Sequence, residues 1–224
     1  MINWQEILQK RETETHFVVE GRHGVERLLA SSFVTEKVIE VGSDLTRDEV
    51  SNLLGFRFHR SHLAIAQKPA NPSLADFGDG PLVVLPEIAD PGNLGTIIRN
   101  TAALGGSGVL LGKGASPFNA KAVRASAGSI FSIPIHQSSN LLADLNQLKK
   151  DRILLGTSLS KNSKPLTSAP AFEQSIALLL GPEDFGLSDE VEVLCDHLFH
   201  LPMAREIDSL NVASASAIFL HSFQ

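Results

Sequence analysis

The stretch Ile176-Ala-Leu-Leu-Leu-Gly-Pro-Glu-Asp-Phe-Gly-Leu-Ser188 joins the most apolar run of the chain to a turn rich in glycine. The continuous apolar run Ile176–Leu180 predicts a strand that is buried on both faces, as in a parallel sheet. The turn after it holds the carboxylate of Glu183 between Gly181 and Gly186. Parallel α/β proteins place their ligands at such loops, where strands end. A tight connection from strand to helix explains the same residues equally well.

The pattern of apolar strand and helix repeats on both sides of this stretch. Short apolar segments alternate with segments of helical periodicity through the last two-thirds of the chain. This order predicts an α/β fold with a mostly parallel sheet that helices cover on both faces. The predicted strands are Leu82–Leu85, Gly108–Leu111, Ile133–His136, Ile153–Thr157, Ile176–Leu180 and Leu198–Leu201, and the predicted helices are 93–104, 118–127, 140–150, 188–195 and 210–220.

The first third of the chain predicts a smaller unit of mixed structure. Gly21–Ala30 has the pattern of a short helix, and Lys37–Val41 and His62–Ala66 have the pattern of strands. Residues 71–80 are dense in proline, glycine, asparagine and aspartate, which predicts a linker. The expected organisation is a small α+β domain (1–70), a linker (71–80) and a larger α/β domain (81–224).

Composition and charge limit the class of protein. Hydrophobic residues make up 43% and charged residues 20% of the 224 positions, as in a soluble globular protein, and a cytoplasmic location is expected. No apolar run reaches the ~18 residues that a membrane span needs. The lone Cys195 predicts a buried structural thiol, and the histidines are not spaced as metal ligands, so no metal is expected. A net charge of −6 means that any contact with nucleic acid must come from local clusters.

A second loop follows the strand predicted at Leu82–Leu85. Asp90 or Asn93 can cap the helix that begins there, and Gly95 permits close approach by another backbone. Arg99 interrupts the apolar row of this helix. Two explanations remain for an arginine at this position: it forms a surface salt bridge, or it has a role in function.

A third loop follows the last predicted strand and begins with Leu201-Pro-Met203. It continues as a helix of small residues, which allows either close packing of another segment or a tight core. Ser209 could cap this helix, and Asn211 in its first turn could support the cap.

Together the three loops resemble the three motifs of the SpoU (TrmH) branch of the SPOUT methyltransferases. The motifs are N-x-G-x-x-x-R at Asn93, Gly95 and Arg99, G-x-E-x-x-G at Gly181, Glu183 and Gly186, and I/L-P-M followed by S-L-N-V at Leu201-Pro-Met203 and Ser209-Leu-Asn-Val212. They occur in the family's order, and the resemblance covers residues 81–224. Upstream, Gly21-Arg-His-Gly-Val-Glu-Arg-Leu-Leu29 is similar to the start of the family's substrate-binding domain, which is related to an RNA-binding ribosomal fold.

The resemblance implies a fold, a cofactor and a reaction. In this family the C-terminal segment threads through a preceding loop and forms a deep trefoil knot that binds S-adenosylmethionine. The methyl group goes to a ribose 2′-hydroxyl of ribosomal or transfer RNA, without a metal, in a homodimer formed by the catalytic domain. By similarity the cofactor-binding residues are Gly181, Leu201 and Leu210, with Thr157 and Met203 alongside.

The resemblance also implies roles for the polar residues. Arg99 matches the family's catalytic position and, because a guanidinium stays protonated, is expected to stabilise the developing alkoxide or to bind the adjacent phosphate. Glu183 is expected to order the loops. The residues expected to supply hydrogen bonds around Arg99 and the cofactor are Asn93, Ser209 and Asn211.

Two positions depart from the family's third motif, which commonly has glycine and serine where this chain has Arg205 and Ala213. The upstream unit is also shorter than the usual substrate-binding domain. The alternative function is therefore a non-catalytic knotted protein that binds RNA or assists ribosome assembly. The presence of Arg99, Glu183 and Asn211 favours the enzyme.

Overall fold

A computed structural model of the chain describes residues 3–182, 185–204 and 209–223. Helices and strands alternate along most of this described part. In chain order they are α1 (Trp4–Lys10), β1 (His16–Glu20), α2 (Arg22–Leu29), β2 (Thr35–Glu40), α3 (Arg47–Leu54), β3 (His62–Gln67), β4 (Leu82–Ile88), α4 (Pro91–Ala103), β5 (Gly108–Gly114), α5 (Ala120–Ala125), β6 (Ile135–Gln137), α6 (Leu141–Leu148), β7 (Ile153–Thr157), β8 (Lys164–Pro165), β9 (Ile176–Leu179), α7 (Asp189–Glu192), β10 (His197–His200) and α8 (Val212–Ser222).

The larger sheet has seven strands in the order β6-β5-β4-β9-β7-β10-β8, and every described pairing in it is parallel. Strand β9, formed by the apolar run at 176–179, lies in the centre between β4 and β7. The predicted α/β fold with a mostly parallel sheet is confirmed. The C-terminal trefoil knot stays a prediction. Among the described residues, no helix has the length and apolar character needed to cross a bilayer.

Both faces of this sheet are buried. Alternate side chains of a strand point to opposite faces. In β4, Val83 and Leu85 belong to one buried cluster, and Leu82 and Val84 belong to another. Helices α4, α5 and α8 contribute to the first cluster, and α6 and α7 contribute to the second. This two-sided burial explains why the strands read as continuous apolar runs rather than as alternating ones.

A separate antiparallel sheet in the order β1-β3-β2 forms the small module with helices α1 to α3. Of these elements, α2, β2 and β3 were predicted from the sequence, whereas α1, β1 and α3 were not. Helix α3 begins with a capping box, in which the Thr46 hydroxyl accepts from Glu49 N at 3.2 Å and the Glu49 carboxylate accepts from Thr46 N at 2.7 Å. The spacing of Thr46 and Glu49 is that of a capping box, so the start of α3 could have been predicted from the sequence.

The small module packs against the chain around α5. The ring of Phe17 lies 4.9 Å from that of Phe118, centroid to centroid, and the ring of Phe33 lies 5.2 Å from that of Phe131. Residues 71–80 also make contacts, because Phe77 is buried under the large sheet. The division of the chain into 1–70, 71–80 and 81–224 stays a prediction about folding units.

Helix α4 begins at Pro91 rather than at Asn93, because Asp90 is the residue that caps it. The Asp90 carboxylate accepts a hydrogen bond from Asn93 N at 2.8 Å. The helix then contacts α8 through Asn100, whose amide donates to the Ala213 carbonyl at 2.8 Å and to the Ser216 hydroxyl at 3.0 Å. The carboxylate of Asp90 therefore fixes the start of α4, and the amide of Asn100 fixes its contact with α8.

Helix α4 approaches α5 unusually closely at Gly95. A Cβ atom on Gly95 would lie 2.2 Å from the Ala122 carbonyl oxygen and 2.7 Å from the Ala125 Cβ. Neither of these atoms is the end of a flexible side chain, so the helices would have to separate. The predicted close approach of another backbone at this glycine is confirmed.

We expect Gly95→Ala to destabilise the fold. Alanine favours a helix by about 1 kcal/mol over glycine. The clash with α5 opposes that gain, because overpacking costs about 1–3 kcal/mol or more. A net loss of unfolding free energy is therefore expected in urea titrations. The matched control is Gly78→Ala, where a Cβ meets nothing within 4 Å and should change little. Wild-type stability of Gly95→Ala would contradict the described helix packing.

Candidate active site

A cavity of about 500 Å³ opens where β7, β9 and β10 end. The carboxyl ends of these strands meet because the three are parallel neighbours in the sheet. Strands β5 and β6 lie on one side of β4, and β9 and β7 lie on the other. The cavity therefore lies beside the point where the strand order reverses, which is where open parallel sheets bind ligands.

The cavity brings together the residues that were predicted to bind a cofactor. They come from the ends of three strands and from the segment just before α8. All five line its wall: Thr157, Gly181, Leu201, Met203 and Leu210. Their contact with a cofactor stays a prediction.

Gly181 forms part of the wall because the loop after β9 folds back onto it. A Cβ atom at this position would lie 2.4 Å from the carbonyl carbon of Gly186 and 2.5 Å from Leu187 N. The loop is held in that shape by a hydrogen bond from Gly186 N to the Pro182 carbonyl at 3.0 Å. Any side chain at residue 181 would push this loop away. Glu183, the predicted loop-ordering carboxylate, lies outside the described residues, as does Arg205.

The described lining is mostly apolar, with a few hydroxyl groups and two acids. The acidic residues among the described lining residues are Asp189 and Glu192, and no lysine or arginine is among them. The Ser160 hydroxyl is buried and has no hydrogen-bond partner in the described part of the chain. A buried hydroxyl without a hydrogen-bond partner costs free energy. A ligand that formed a hydrogen bond with this hydroxyl would therefore bind favourably here. The apolar wall includes Leu180, Phe199, Leu201, Leu210 and Phe219.

Asn211 links this cavity to α4. Its side-chain oxygen accepts from Ala213 N at 3.0 Å and from Ser214 N at 3.4 Å, which makes it the N-cap of α8. Its amide nitrogen donates to the Asn93 side-chain oxygen at 3.0 Å. The suggested cap at Ser209 is therefore corrected: α8 begins after Asn211, and Ser209 lines the cavity instead.

Arg99 lies apart from this group. It is exposed on α4 and does not line the cavity of its own chain. At 100° per residue it is about 120° around the helix from Asn93. It does not interrupt the buried row, because Leu94, Ile97 and Ile98 face the core while Arg99 faces outward. It makes no ion pair with any residue that the structure describes, so the surface salt bridge considered from the sequence is not formed there.

Several lining residues were not predicted from the sequence. Ser158 and Ser160 follow β7 directly, and His200 ends β10. The rule that loops after parallel strands carry ligand contacts applies to them as well, and it would have found them. Phe185 was also missed, although its side chain lines the cavity and is 89% exposed.

Cys195 does not line the cavity. A Cβ atom on Gly156 would lie 2.8 Å from its sulfur, which shows how closely the thiol packs against β7. Burial raises the pKa of the Cys195 thiol to about 12, so it stays protonated and is a poor nucleophile. Within the described residues, no group of three or more histidine, cysteine or acidic side chains could hold a metal ion.

Comparison with known proteins identifies the family. Residues 80–221 match the SpoU rRNA Methylase family. An uncharacterized tRNA/rRNA methyltransferase of Mycobacterium bovis is 33% identical over 90% of this chain and 78% of that relative. The 23S rRNA (guanosine(2553)-2′-O)-methyltransferase RlmP of Bacillus subtilis is 31% identical over 98% of this chain and 93% of that relative.

A solved structure supports the same assignment. The crystal structure of an AdoMet-bound rRNA methyltransferase from Sinorhizobium meliloti matches with a TM-score of 0.85 and 26% identity, over 97% of this chain and 91% of that one. The family match spans well over half of the residues, and both sequence relatives exceed 30% identity over most of the chain. The chain belongs to the SpoU rRNA methylase family.

Proposed function

We propose that this protein transfers a methyl group from S-adenosylmethionine to a ribose 2′-hydroxyl of ribosomal or transfer RNA. The observation that carries the proposal is the cavity at the ends of β7, β9 and β10, which is lined by all five residues that match the family's cofactor site. The Bacillus subtilis relative is by name a 2′-O-methyltransferase of 23S rRNA, and the Sinorhizobium meliloti structure contains AdoMet. The proposal places the protein in the cytoplasm, together with its RNA.

The lining suits S-adenosylmethionine better than a nucleotide that carries phosphates. Apolar side chains can cover an adenine ring, and Asp189 and Glu192 favour a positively charged ligand. A phosphate group would meet no lysine or arginine among the described lining residues. When bound, S-adenosylmethionine supplies an electrophilic methyl group on a positively charged sulfur.

The residues of the chain have separable tasks in this proposal. Gly181, Leu201 and Leu210 would hold the cofactor through their backbone, and the free hydroxyl of Ser160 would bind it by a hydrogen bond. The Asn211–Asn93 hydrogen bond fixes the segment just before α8 against α4. That segment contains Ser209 and Leu210, so the cavity wall and the helix of the proposed catalytic arginine are held together.

Arg99 is proposed to act on the RNA rather than on the cofactor. The ribose hydroxyl is a weak nucleophile, and charge develops on its oxygen as the methyl group moves. A guanidinium remains protonated at neutral pH, so it serves to stabilise that charge or to bind the neighbouring phosphate. Its exposure on α4 leaves it accessible to a ligand as large as RNA.

We propose that a homodimer completes the site. Arg99 does not line the cavity of its own chain, so a second copy would bring arginine and cofactor together. The mouth of the cavity carries exposed apolar side chains, with Leu159 69% and Phe185 89% exposed. Apolar patches of this kind beside a site are typical of protein interfaces.

We expect S-adenosylmethionine and its demethylated product to bind and to raise the melting temperature, because a ligand that binds only the folded state stabilises it by about 2.7 kcal/mol at a hundred times its Kd. ATP and NAD should not. Leu210→Arg should abolish this binding in calorimetry. The matched control is Leu142→Arg on α6, which is similarly exposed but lies away from the cavity and should bind normally. No binding at millimolar ligand would refute the cofactor site.

Arg99→Ala should lower methyl transfer by about a hundredfold while leaving cofactor affinity unchanged, because the lost group acts only as charge develops. Arg99→Lys should restore little of the lost activity, since an ammonium cannot form the paired hydrogen bonds of a planar guanidinium. The assay is transfer of a labelled methyl group to RNA isolated from a deletion strain. Arg47→Ala, an exposed arginine on α3, is the control. Wild-type turnover by Arg99→Ala would remove this residue from the mechanism.

A homodimer is expected by light scattering at micromolar concentration. Mixing Arg99→Ala with Leu210→Arg should then restore about a quarter of wild-type activity after the subunits exchange, because half of the dimers are mixed and each of those has one intact composite site. Each variant alone should show at most the residual activity expected of Arg99→Ala. A monomer in solution, or mixed dimers without activity, would contradict a site shared between two copies.

A further inference from the structure

Three arginines converge on one buried carboxylate at the boundary between the small module and the large sheet. The Glu20 side chain is 3% exposed. The Arg11 guanidinium donates to one of its oxygens, and Arg124 Nη1 donates to the other at 3.0 Å. Arg60 Nε lies 3.9 Å from the same oxygen as Arg124. We call Arg11, Arg60 and Arg124 the arginine triad; its members come from three separate segments of the chain.

The triad carries more positive charge than its carboxylate neutralises. Three guanidiniums and one carboxylate leave a local surplus of two charges. The nearby lysines are each balanced by one acid, in the pairs Lys10–Glu6, Lys68–Glu12 and Lys121–Asp90. Glu14 lines a second cavity beside these residues. The three arginines and three lysines are six cations, and they are accompanied by the five carboxylates of Glu6, Glu12, Glu14, Glu20 and Asp90. The remaining positive charge therefore lies on the triad.

The triad is partly exposed, with 28% of the Arg11, 46% of the Arg60 and 38% of the Arg124 side chain accessible. Two of its members also line the second cavity, an open polar one of about 590 Å³, which Arg60 does not line. Arg11 and Arg124 line it, from the small module and from α5 respectively. Glu20 holds the guanidiniums in place, which reduces the entropy lost when they bind a ligand. The planar donor fork of a guanidinium matches the oxygens of a phosphate. The ligand that fits this arrangement is a phosphate-bearing anion.

The cavity lies close to the helix that carries the proposed catalytic arginine. Lys121, which also lines the cavity, binds Asp90, the N-cap of α4. Gly95 faces α5, and Arg99 lies one turn later on the same side of α4. RNA that contacts Arg99 could therefore continue across α5 to the triad.

We propose that the arginine triad binds a backbone phosphate of the substrate RNA, at the boundary between the small module and the large sheet. The proposal rests on the proposed function, which makes RNA the anion in question. It also explains how a chain with a net charge of −6 holds nucleic acid, because affinity then depends on a local cluster rather than on overall charge.

The test uses Arg60→Ala in the full chain. Arg60 is the triad member farthest from Glu20 and is about half exposed, so its removal should leave the melting temperature unchanged. Binding of a short fluorescein-labelled RNA hairpin should weaken about fivefold, and the slope of log Kd against log salt should fall by about one, as for one lost phosphate contact. S-adenosylmethionine affinity should stay the same. Arg47→Ala is the matched control and should change none of these.

A second variant, Arg124→Gln, separates binding from folding. If it and Arg60→Ala lower the melting temperature but leave the RNA affinity and the salt slope unchanged, the triad only joins the two parts of the chain, and the proposal is wrong. An equal loss with Arg47→Ala also overturns it. A wild-type protein that binds S-adenosylmethionine but no hairpin overturns the triad proposal alone, whereas absent S-adenosylmethionine binding overturns the proposed function.

Discussion

Strand β9 lies between β4 and β7, and the geometry of the site depends on this insertion. Its residues are buried on both faces and pair in parallel with both neighbours, so its position in the sheet is fixed. The chain leaves it at Gly181, where only a glycine allows the following loop to fold back. The ends of β7 and β10 are held beside it by the same pairing. A cavity at these three ends follows from the sheet order.

The second constraint is the contact between α4 and α8. Asn211 caps α8 with its oxygen and binds Asn93 of α4 with its nitrogen, so one amide serves both the fold and the proposed site. Asn100 adds two hydrogen bonds to α8 further along. On its other side α4 meets α5 at Gly95. The helix that carries Arg99 is thereby held from two directions, while Arg99 itself stays exposed.

Much of this could be predicted from the sequence, for local reasons. Ile153–Thr157 was predicted with the observed bounds, since a buried parallel strand is a continuous apolar run. The five residues predicted to bind the cofactor share one cavity because the carboxyl ends of parallel strands meet there and the segment before α8 lies beside them. The cap of α8 was misjudged, since Ser209 and Asn211 are both good caps and only the tertiary contact with Asn93 distinguishes them. Glu20 and Arg124 are 104 positions apart, and no local pattern could reveal that pairing.

We propose that this chain methylates a ribose hydroxyl of RNA with S-adenosylmethionine bound at the ends of β7, β9 and β10. The most direct measurement is nucleoside mass spectrometry of RNA from a deletion strain after incubation with the purified protein and S-adenosylmethionine that carries an isotopically labelled methyl group. We expect the label on the 2′-oxygen of a ribose. A label on a base, or no label in any RNA of the strain while S-adenosylmethionine still binds, would show that this assignment is wrong.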